Sequence, residues 1–175
     1  MSRDLNDLTP EFKGKVEELI VNCAKRGVTM RPFFTKRTPL EQAKLWRQSR
    51  STGVILKKVA ELRKQDAYYI ADCIMKAGSQ SGRWATNAYS GMSWHQWGLA
   101  VDCFWLVNDN DEWSTTKIIN GVNGYQVYAE EARKLGLKAG ADFGDAVHVQ
   151  FPQESSPIHK YSLKEINDKM QEMFG

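Results

Sequence analysis

The segment from Gly98 to Val107 constrains the fold of this chain more than any other. It reads Gly-Leu-Ala-Val-Asp-Cys-Phe-Trp-Leu-Val, and a run of this length with β-branched and aromatic residues is typical of a largely buried strand. Turn-forming residues follow at 108–111, so we predict a central strand that enters a hairpin. This strand carries one charged residue, the carboxylate Asp102.

Asp102 is costly to bury unless a cation or strong hydrogen bonds compensate its charge. The alternation of a strand places it on the same face as Ala100 and Phe104, and points Val101 and Cys103 to the opposite face. Because Ala100 is small, that face has room for a group beside the carboxylate. Two readings stay open at this point: a metal ligand, or a hydrogen-bonded core aspartate that holds a loop.

The rest of the chain predicts helices and short strands. Capping signals and apolar periodicity place them as follows: helices at about 10–26, 38–49, 54–77, 125–135 and 162–173, and strands at 28–34 and 147–151. Pro32 favours an edge position for the first of these strands. Helices with a small antiparallel sheet make an α+β fold, and 175 residues suit a single domain, residues 1–175.

The composition excludes several classes of partner. Lys and Arg total 24 against 21 Asp and Glu, and a net charge of +3 is too small and too scattered to indicate a nucleic-acid partner. The longest apolar stretch, 98–107, is far shorter than the ~20 residues that span a bilayer. The first twelve residues lack the apolar core of a secretory signal. We therefore expect a soluble monomer made in the cytoplasm, without membrane insertion.

The chain has only three histidines, so each can be weighed. His159 lies in a polar run and is read as a surface residue. His95 lies just before the predicted central strand, and His148 begins the last short strand. Two imidazoles and one carboxylate are a known ligand set for a catalytic zinc ion, which makes His95, Asp102 and His148 candidates.

A second carboxylate, Asp145, stands three residues before His148. If the backbone bends there, this group could act as the general base of a hydrolytic reaction. The alternative is a loop aspartate that caps a turn, and Asp142 nearby would fit either role.

These residues resemble a known family. Ser93-Trp-His-Gln-Trp-Gly-Leu-Ala-Val-Asp102 fits the SxHxxGxAxD pattern of the zinc D-alanyl-D-alanine peptidases, and Asp145-x-x-His148 resembles the second half of their site. The segment 37–46, Arg-Thr-Pro-Leu-Glu-Gln-Ala-Lys-Leu-Trp, resembles the helix opening of the L-alanyl-D-glutamate endopeptidase branch. The resemblance covers about residues 10–151. It implies the fold that these peptidases share with Hedgehog signalling domains.

The resemblance implies zinc as the cofactor, with His95, Asp102 and His148 as its ligands and Asp145 as the catalytic carboxylate. An extra helical stretch at about 51–82 departs from the family pattern.

Arg37 would stabilise the oxyanion that develops during hydrolysis. Ser93 and Gln42 would contact the substrate.

The implied function is a zinc endopeptidase that cuts the L-alanyl-D-glutamate bond of bacterial peptidoglycan. Such an enzyme would serve as a phage lysin, held in the host cytoplasm until a separate membrane-permeabilising protein releases it to the cell wall. The alternatives are a D-alanyl-D-alanine carboxypeptidase or dipeptidase, and a non-catalytic zinc-containing binding module.

Overall fold

The computed structural model describes residues 2–175, and the chain divides into two compact units. The first unit contains residues 2–36 and 97–153, and the second contains residues 37–96 and 154–175. Within residues 2–175, none of the helices combines the length and the apolar character needed to cross a membrane.

Six helices and five strands make up the regular structure of the described residues. In chain order they are α1 (Pro10–Lys25), β1 (Thr29–Phe34), α2 (Pro39–Arg47), α3 (Thr52–Arg63), α4 (Tyr68–Lys76), β2 (Ala100–Val107), β3 (Asn110–Glu112), α5 (Gly124–Lys134), β4 (Lys138–Ala139), β5 (His148–Gln150) and α6 (Leu163–Phe174). Four short 3-10 helices accompany them, at Leu5–Asp7, Trp94–Trp97, Gly140–Phe143 and Pro157–His159.

The first unit is built on one antiparallel sheet with the strand order β1-β2-β5-β4, and β3 also pairs with β2. The predicted central strand is therefore central, and the α+β class is confirmed. β1 lies at the end of the sheet, which suits Pro32 because proline has no N–H to donate to a further strand. The two-residue strand β4 has no counterpart among the strands predicted from the sequence.

The two faces of β2 have different surroundings, as the strand alternation predicts. Val101 and Cys103 are fully buried in the core of the unit, together with Phe12 and Val16 of α1 and Tyr128 of α5. This burial raises the pKa of the Cys103 thiol to about 12, so the group stays neutral.

The hairpin after β2 is tighter than the sequence predicted. The expected turn at 108–111 is wrong by two residues, because β3 already begins at Asn110. The turn itself is Asn108 and Asp109, with φ angles of 49° and 62°. Asn and Asp tolerate this left-handed conformation better than other non-glycine residues, and a two-residue turn of this hand matches the twist of the strands.

The second unit is a cluster of helices in which α4 contacts α2, α3 and α6. Capping boxes begin α2 at Thr38 with Glu41, and α6 at Ser162 with Glu165, as the sequence predicts. The first turn of α4 has no such cap of its own. Instead the Asn167 side chain of α6 accepts a hydrogen bond from the buried backbone N–H of Ile70, at 3.2 Å.

The prediction of one helix over 54–77 is wrong, because α3 and α4 are separate helices. The break is at Asp66, whose φ of 56° ends the helix in the left-handed conformation. The N–H of Ala67 then donates back to the carbonyl of Leu62 at 3.0 Å, and the Ala67 side chain is fully buried. Glycine or asparagine usually occupies such a position, so an aspartate gave a weaker stop signal than the apolar periodicity around it.

Candidate metal centre

The pairing of β2 with β5 positions the core of the candidate site. Asp102 lies directly opposite His148 in the antiparallel register, so both side chains extend from the same face of the sheet. The His148 Nδ1–H donates to Asp102 Oδ1 at 2.9 Å. The two side chains are 11% and 14% exposed, which leaves a narrow opening to solvent.

The surroundings of His148 favour a positive charge at this position. Burial of the ring works against protonation, but the hydrogen bond to Asp102 and the negative charge of that carboxylate outweigh it and raise the pKa of His148. On the other side of the ring, Nε2 lies 3.1 Å from the side-chain oxygen of Gln150, a further acceptor. Both nitrogens thus face oxygen atoms.

His95 is the third member of the predicted ligand set. It is 3% exposed and lies in the 3-10 helix Trp94–Trp97, which the N–H of Gln96 helps to form by donating to the carbonyl of Ser93. Gly98 follows with a φ of +68°, and a Cβ at that position would lie 2.8 Å from the carbonyl oxygen of Asp7. A glycine is therefore required where this helix passes into β2.

The three predicted ligands form a group that could hold a metal ion. His95, Asp102 and His148 each offer one donor atom, and these atoms lie within 4.8 Å of one another. Donor atoms about 2 Å from a shared zinc ion lie at most about 4 Å apart, so small side-chain adjustments would suffice. Two imidazoles and a carboxylate are a donor set that suits zinc.

A compact turn holds Asp145 next to His148. The N–H of Asp145 donates to the carbonyl of Gly140 at 2.9 Å, and the N–H of His148 donates to the carbonyl of Asp145 at 3.0 Å. Asp145 is exposed, and its charge contributes to raising the pKa of His148. A carboxylate close to a candidate ligand is suited to proton transfer.

Asp142, the other candidate base, has a different environment. Its carboxylate pairs with Arg133, with Oδ1 2.5 Å from Nη2, and both side chains are about half exposed. This guanidinium lowers the pKa of Asp142, which makes the carboxylate a poorer proton acceptor. The pairing with Arg133 argues against Asp142 as the base.

Arg37 and Gln42 are joined by a hydrogen bond at the start of α2. Arg37 Nη1 donates to Gln42 Oε1 at 2.9 Å, and Gln42 Nε2 donates to the carbonyl of Ala88 at 2.6 Å. Gln42 is 1% exposed, and both the oxygen and the nitrogen of its side-chain amide form hydrogen bonds with protein groups. Ser93, which the sequence predicts to contact substrate, is half-buried just before the 3-10 helix that carries His95.

Three residues near the site have no assigned role in the sequence predictions. Gly140 is one, because a Cβ there would lie 2.0 Å from the carbonyl oxygen of Asp145 and 2.7 Å from the Cβ of His148. Gln150 is the second, as a partner of the His148 ring. The third is Phe143, 58% exposed, whose ring stands edge-on to His148 with 5.8 Å between centroids. A single sequence contains no pattern that predicts a crowded glycine or an exposed aromatic ring beside a site. Gln150 is different, because the alternation of β5 places it on the same face as His148.

Comparison with known proteins identifies the family. The family model described as VanY, D-alanyl-D-alanine carboxypeptidase, matches residues 5–155, which include all the predicted site residues. The chain therefore belongs to this family of peptidases. No curated protein matches the chain.

Two solved structures resemble it at low similarity. One is a variant of the vancomycin resistance D,D-pentapeptidase VanY from a VanB-type cassette in complex with Zn(II), with 18% identity, a TM-score of 0.44, and 96% of this chain and 84% of that chain covered. The other is VanYB in complex with D-alanine-D-alanine, with 18% identity, a TM-score of 0.43, and 95% and 81% covered. The family assignment rests on the family model alone.

Proposed function

We propose that this protein is a zinc-dependent peptidase of the peptidoglycan stem peptide, and that it removes the terminal D-alanine as a carboxypeptidase. The observation that carries the proposal is the Asp102–His148 pair on β2 and β5, with His95 supplying the third donor atom. The family description favours the carboxypeptidase reaction over the endopeptidase reaction that the sequence motifs implied. In this proposal residues 1–175 act as a single catalytic domain.

His95, Asp102 and His148 would hold the zinc ion. When bound, zinc acts as a Lewis acid that polarises the scissile carbonyl and lowers the pKa of water. The Asp102 carboxylate beside His148 supports this assignment, because its negative charge stabilises a cation at this position.

Asp145 would accept the proton of the attacking water and return it to the leaving amine. Its exposure and its place beside His148 support this assignment, as does the pairing of Asp142 with Arg133. Such general base catalysis contributes typically about 10²- to 10⁴-fold to the rate.

Arg37 would stabilise the oxyanion, and Ser93 would orient the substrate. Gln42 was expected to contact the substrate as well. Its amide bonds to Arg37 and to the Ala88 carbonyl, so we propose that Gln42 acts by holding the guanidinium in place.

The L-alanyl-D-glutamate endopeptidase is the second candidate. The Arg37-Thr-Pro-Leu-Glu-Gln42 opening favours it, and the capping box at Thr38 shows that this segment does begin a helix. This candidate carries with it the further proposals of a phage lysin and of release to the cell wall by a membrane-permeabilising protein. A monomer would suffice for either reaction.

A digest of purified peptidoglycan by metal-stripped and by zinc-restored protein tests these readings, with the products identified by mass spectrometry. Free D-alanine that appears only with zinc supports the carboxypeptidase. New D-glutamate amino termini would assign the endopeptidase instead. No cleavage by protein that holds one zinc per chain would contradict both and favour the binding module.

A further inference from the structure

Three aromatic residues form a cluster on the Asp102 face of the sheet. The Phe104 ring is 8% exposed, and rings from two other segments pack around it: Phe33 of β1 at 6.3 Å and Trp113, just after β3, at 5.5 Å between centroids. Phe33 and Trp113 also contact each other, at 4.8 Å. We call Phe33, Phe104 and Trp113 the aromatic platform.

The rings of the platform pack against one another, and one of them is open to solvent. Trp113 is 44% exposed although it packs against two rings, so its indole is held in place while one part faces water. Large aromatic side chains of this kind supply much contact area at low entropy cost, and exposed apolar patches mark binding surfaces.

Two arginines flank the platform. Arg31 lies opposite Phe104 in the pairing of β1 with β2, so its exposed side chain belongs to the same face of the sheet. The guanidinium of Arg3 lies over the Phe33 ring, 4.9 Å from its centroid. Hydrogen bonds between Ser2 and the backbone at 35–36 hold the segment of Arg3 beside β1.

The platform is continuous with the candidate metal centre. Phe104 lies two residues beyond Asp102 on the same strand and the same face, a distance of about 7 Å. An extended peptide advances about 3.3–3.6 Å per residue, so the platform corresponds to a substrate residue about two positions from the scissile bond.

We propose that the aromatic platform with Arg3 and Arg31 is a subsite for a carboxylate-bearing residue of the stem peptide, about two positions from the bond that is cleaved. This inference rests on the proposed peptidase function and adds to it a preference for acidic over amidated peptides. The carboxylate is recognised by the two guanidinium groups, and the aliphatic part of the residue packs on Trp113.

The test compares two synthetic stem pentapeptides that end in D-alanyl-D-alanine, one with free interior carboxylates and one with these carboxylates amidated. Steady-state hydrolysis by the zinc-loaded protein gives kcat and KM, and calorimetry with the Asp145→Asn variant gives Kd without turnover. We expect a KM and a Kd about tenfold lower for the acidic peptide, with similar kcat, because the subsite binds ground state and transition state alike. This preference should weaken as salt is raised.

The double variant Arg3→Gln/Arg31→Gln should lose the preference while its kcat stays within twofold of wild type. Trp113→Leu should weaken binding of both peptides about fivefold and keep the preference. Lys25→Gln is the matched control for charge, because Lys25 ends α1, which packs on the opposite face of the sheet.

Each outcome separates the two proposals. Hydrolysis of both peptides with equal KM would overturn the subsite and leave the peptidase function intact. A preference that survives in the double variant would also overturn the subsite. Absence of hydrolysis together with a tenfold difference in Kd would refute the carboxypeptidase reaction and support only the binding of acidic peptides by the platform, whereas equal Kd values would refute both.

Discussion

The two parts of the candidate machinery are held in place by different means. Asp102 and His148 lie on paired strands, where the backbone ladder of β2 and β5 fixes their register. Arg37 donates to Gln42, and Gln42 donates to a backbone carbonyl in residues 78–93, a segment that has no helix or strand. The backbone hydrogen bonds between two strands remain when one side chain is replaced. A contact that a single side-chain amide makes is lost when that side chain is replaced.

The irregular segment 78–93 is fastened to α2, and to Arg50 just after this helix, by three polar contacts. Gln42 donates to the carbonyl of Ala88, and Arg50 Nη2 donates to the carbonyl of Thr86 at 2.9 Å. Ser90 Oγ donates to the carbonyl of Pro39 at 2.7 Å. We therefore expect substitutions in the strand pair to act on the metal, and substitutions around Gln42 to act on turnover.

His148→Ala should have the largest effect, because it removes a predicted ligand from the strand pair. We expect zinc affinity to fall at least about 100-fold and hydrolysis to become undetectable. The loss of affinity should exceed that caused by removing a residue that only hydrogen-bonds to a metal ligand. Zinc titration against a competing chelator measures the affinity. His159→Ala is the control, and a zinc affinity equal in both variants would remove His148 from the ligand set.

Asp145→Asn should keep zinc and lose about 10²- to 10⁴-fold in kcat, because an amide cannot accept the proton. Metal content and single-turnover rates, measured on the same preparation, separate the two effects. Asp142→Asn is the matched control and should change kcat less than twofold. If Asp142→Asn were the inactive variant, the base would be Asp142.

Gly140→Ala should disturb the turn that carries Asp145 and His148. The added Cβ would lie 2.0 Å from the Asp145 carbonyl oxygen, so the backbone must move. We expect the free energy of unfolding to fall by about 1–3 kcal/mol and zinc affinity to fall about tenfold. Denaturant unfolding of the metal-free protein tests the first expectation.

Gly53→Ala provides the comparison, since Gly53 lies in α3 and has open space around its Cβ position. Alanine is the better helix former, so this variant should gain up to about 1 kcal/mol. A Gly140→Ala protein as stable as wild type would show that the turn is not tightly packed.

Gln42→Leu should have the smallest effect on the metal and a distinct effect on turnover. It leaves the carbonyl of Ala88 and a guanidinium N–H of Arg37 without their partner, and we expect a loss of about 1–3 kcal/mol in stability. kcat should fall about tenfold while zinc affinity stays within twofold of wild type. Gln126→Leu on the exposed face of α5 is the control. A loss of zinc in Gln42→Leu would contradict the division between a strand pair that holds the metal and an Arg37–Gln42 pair that acts on turnover.

The strand-built part of the site could be predicted from the sequence, because strand alternation alone places Asp102 and its neighbours. The register that sets Asp102 opposite His148 could not, since β2 and β5 are separated by forty residues of other structure. Capping boxes predicted the starts of α2 and α6. The break at Asp66 and the short length of the predicted turn at Asn108 could not be predicted, because left-handed residues other than glycine give weak signals.

The contacts of Gln42 and Gly140 could not be predicted from the sequence for a related reason. A buried amide with two protein partners and a glycine pressed against a backbone oxygen are defined by packing between distant segments. One sequence shows which residues are present and their spacing along the chain, but it carries no record of which segments touch.

The most direct test of the central claim is a crystal structure of the zinc-loaded protein with anomalous data collected at the zinc absorption edge. The account predicts one anomalous peak per chain, about 2 Å from a nitrogen of His95, a nitrogen of His148 and an oxygen of Asp102. Asp145 should lie outside the ligand set. A zinc ion bound elsewhere, or a His148 ring that keeps its hydrogen bond to Asp102 with zinc present, would contradict the account.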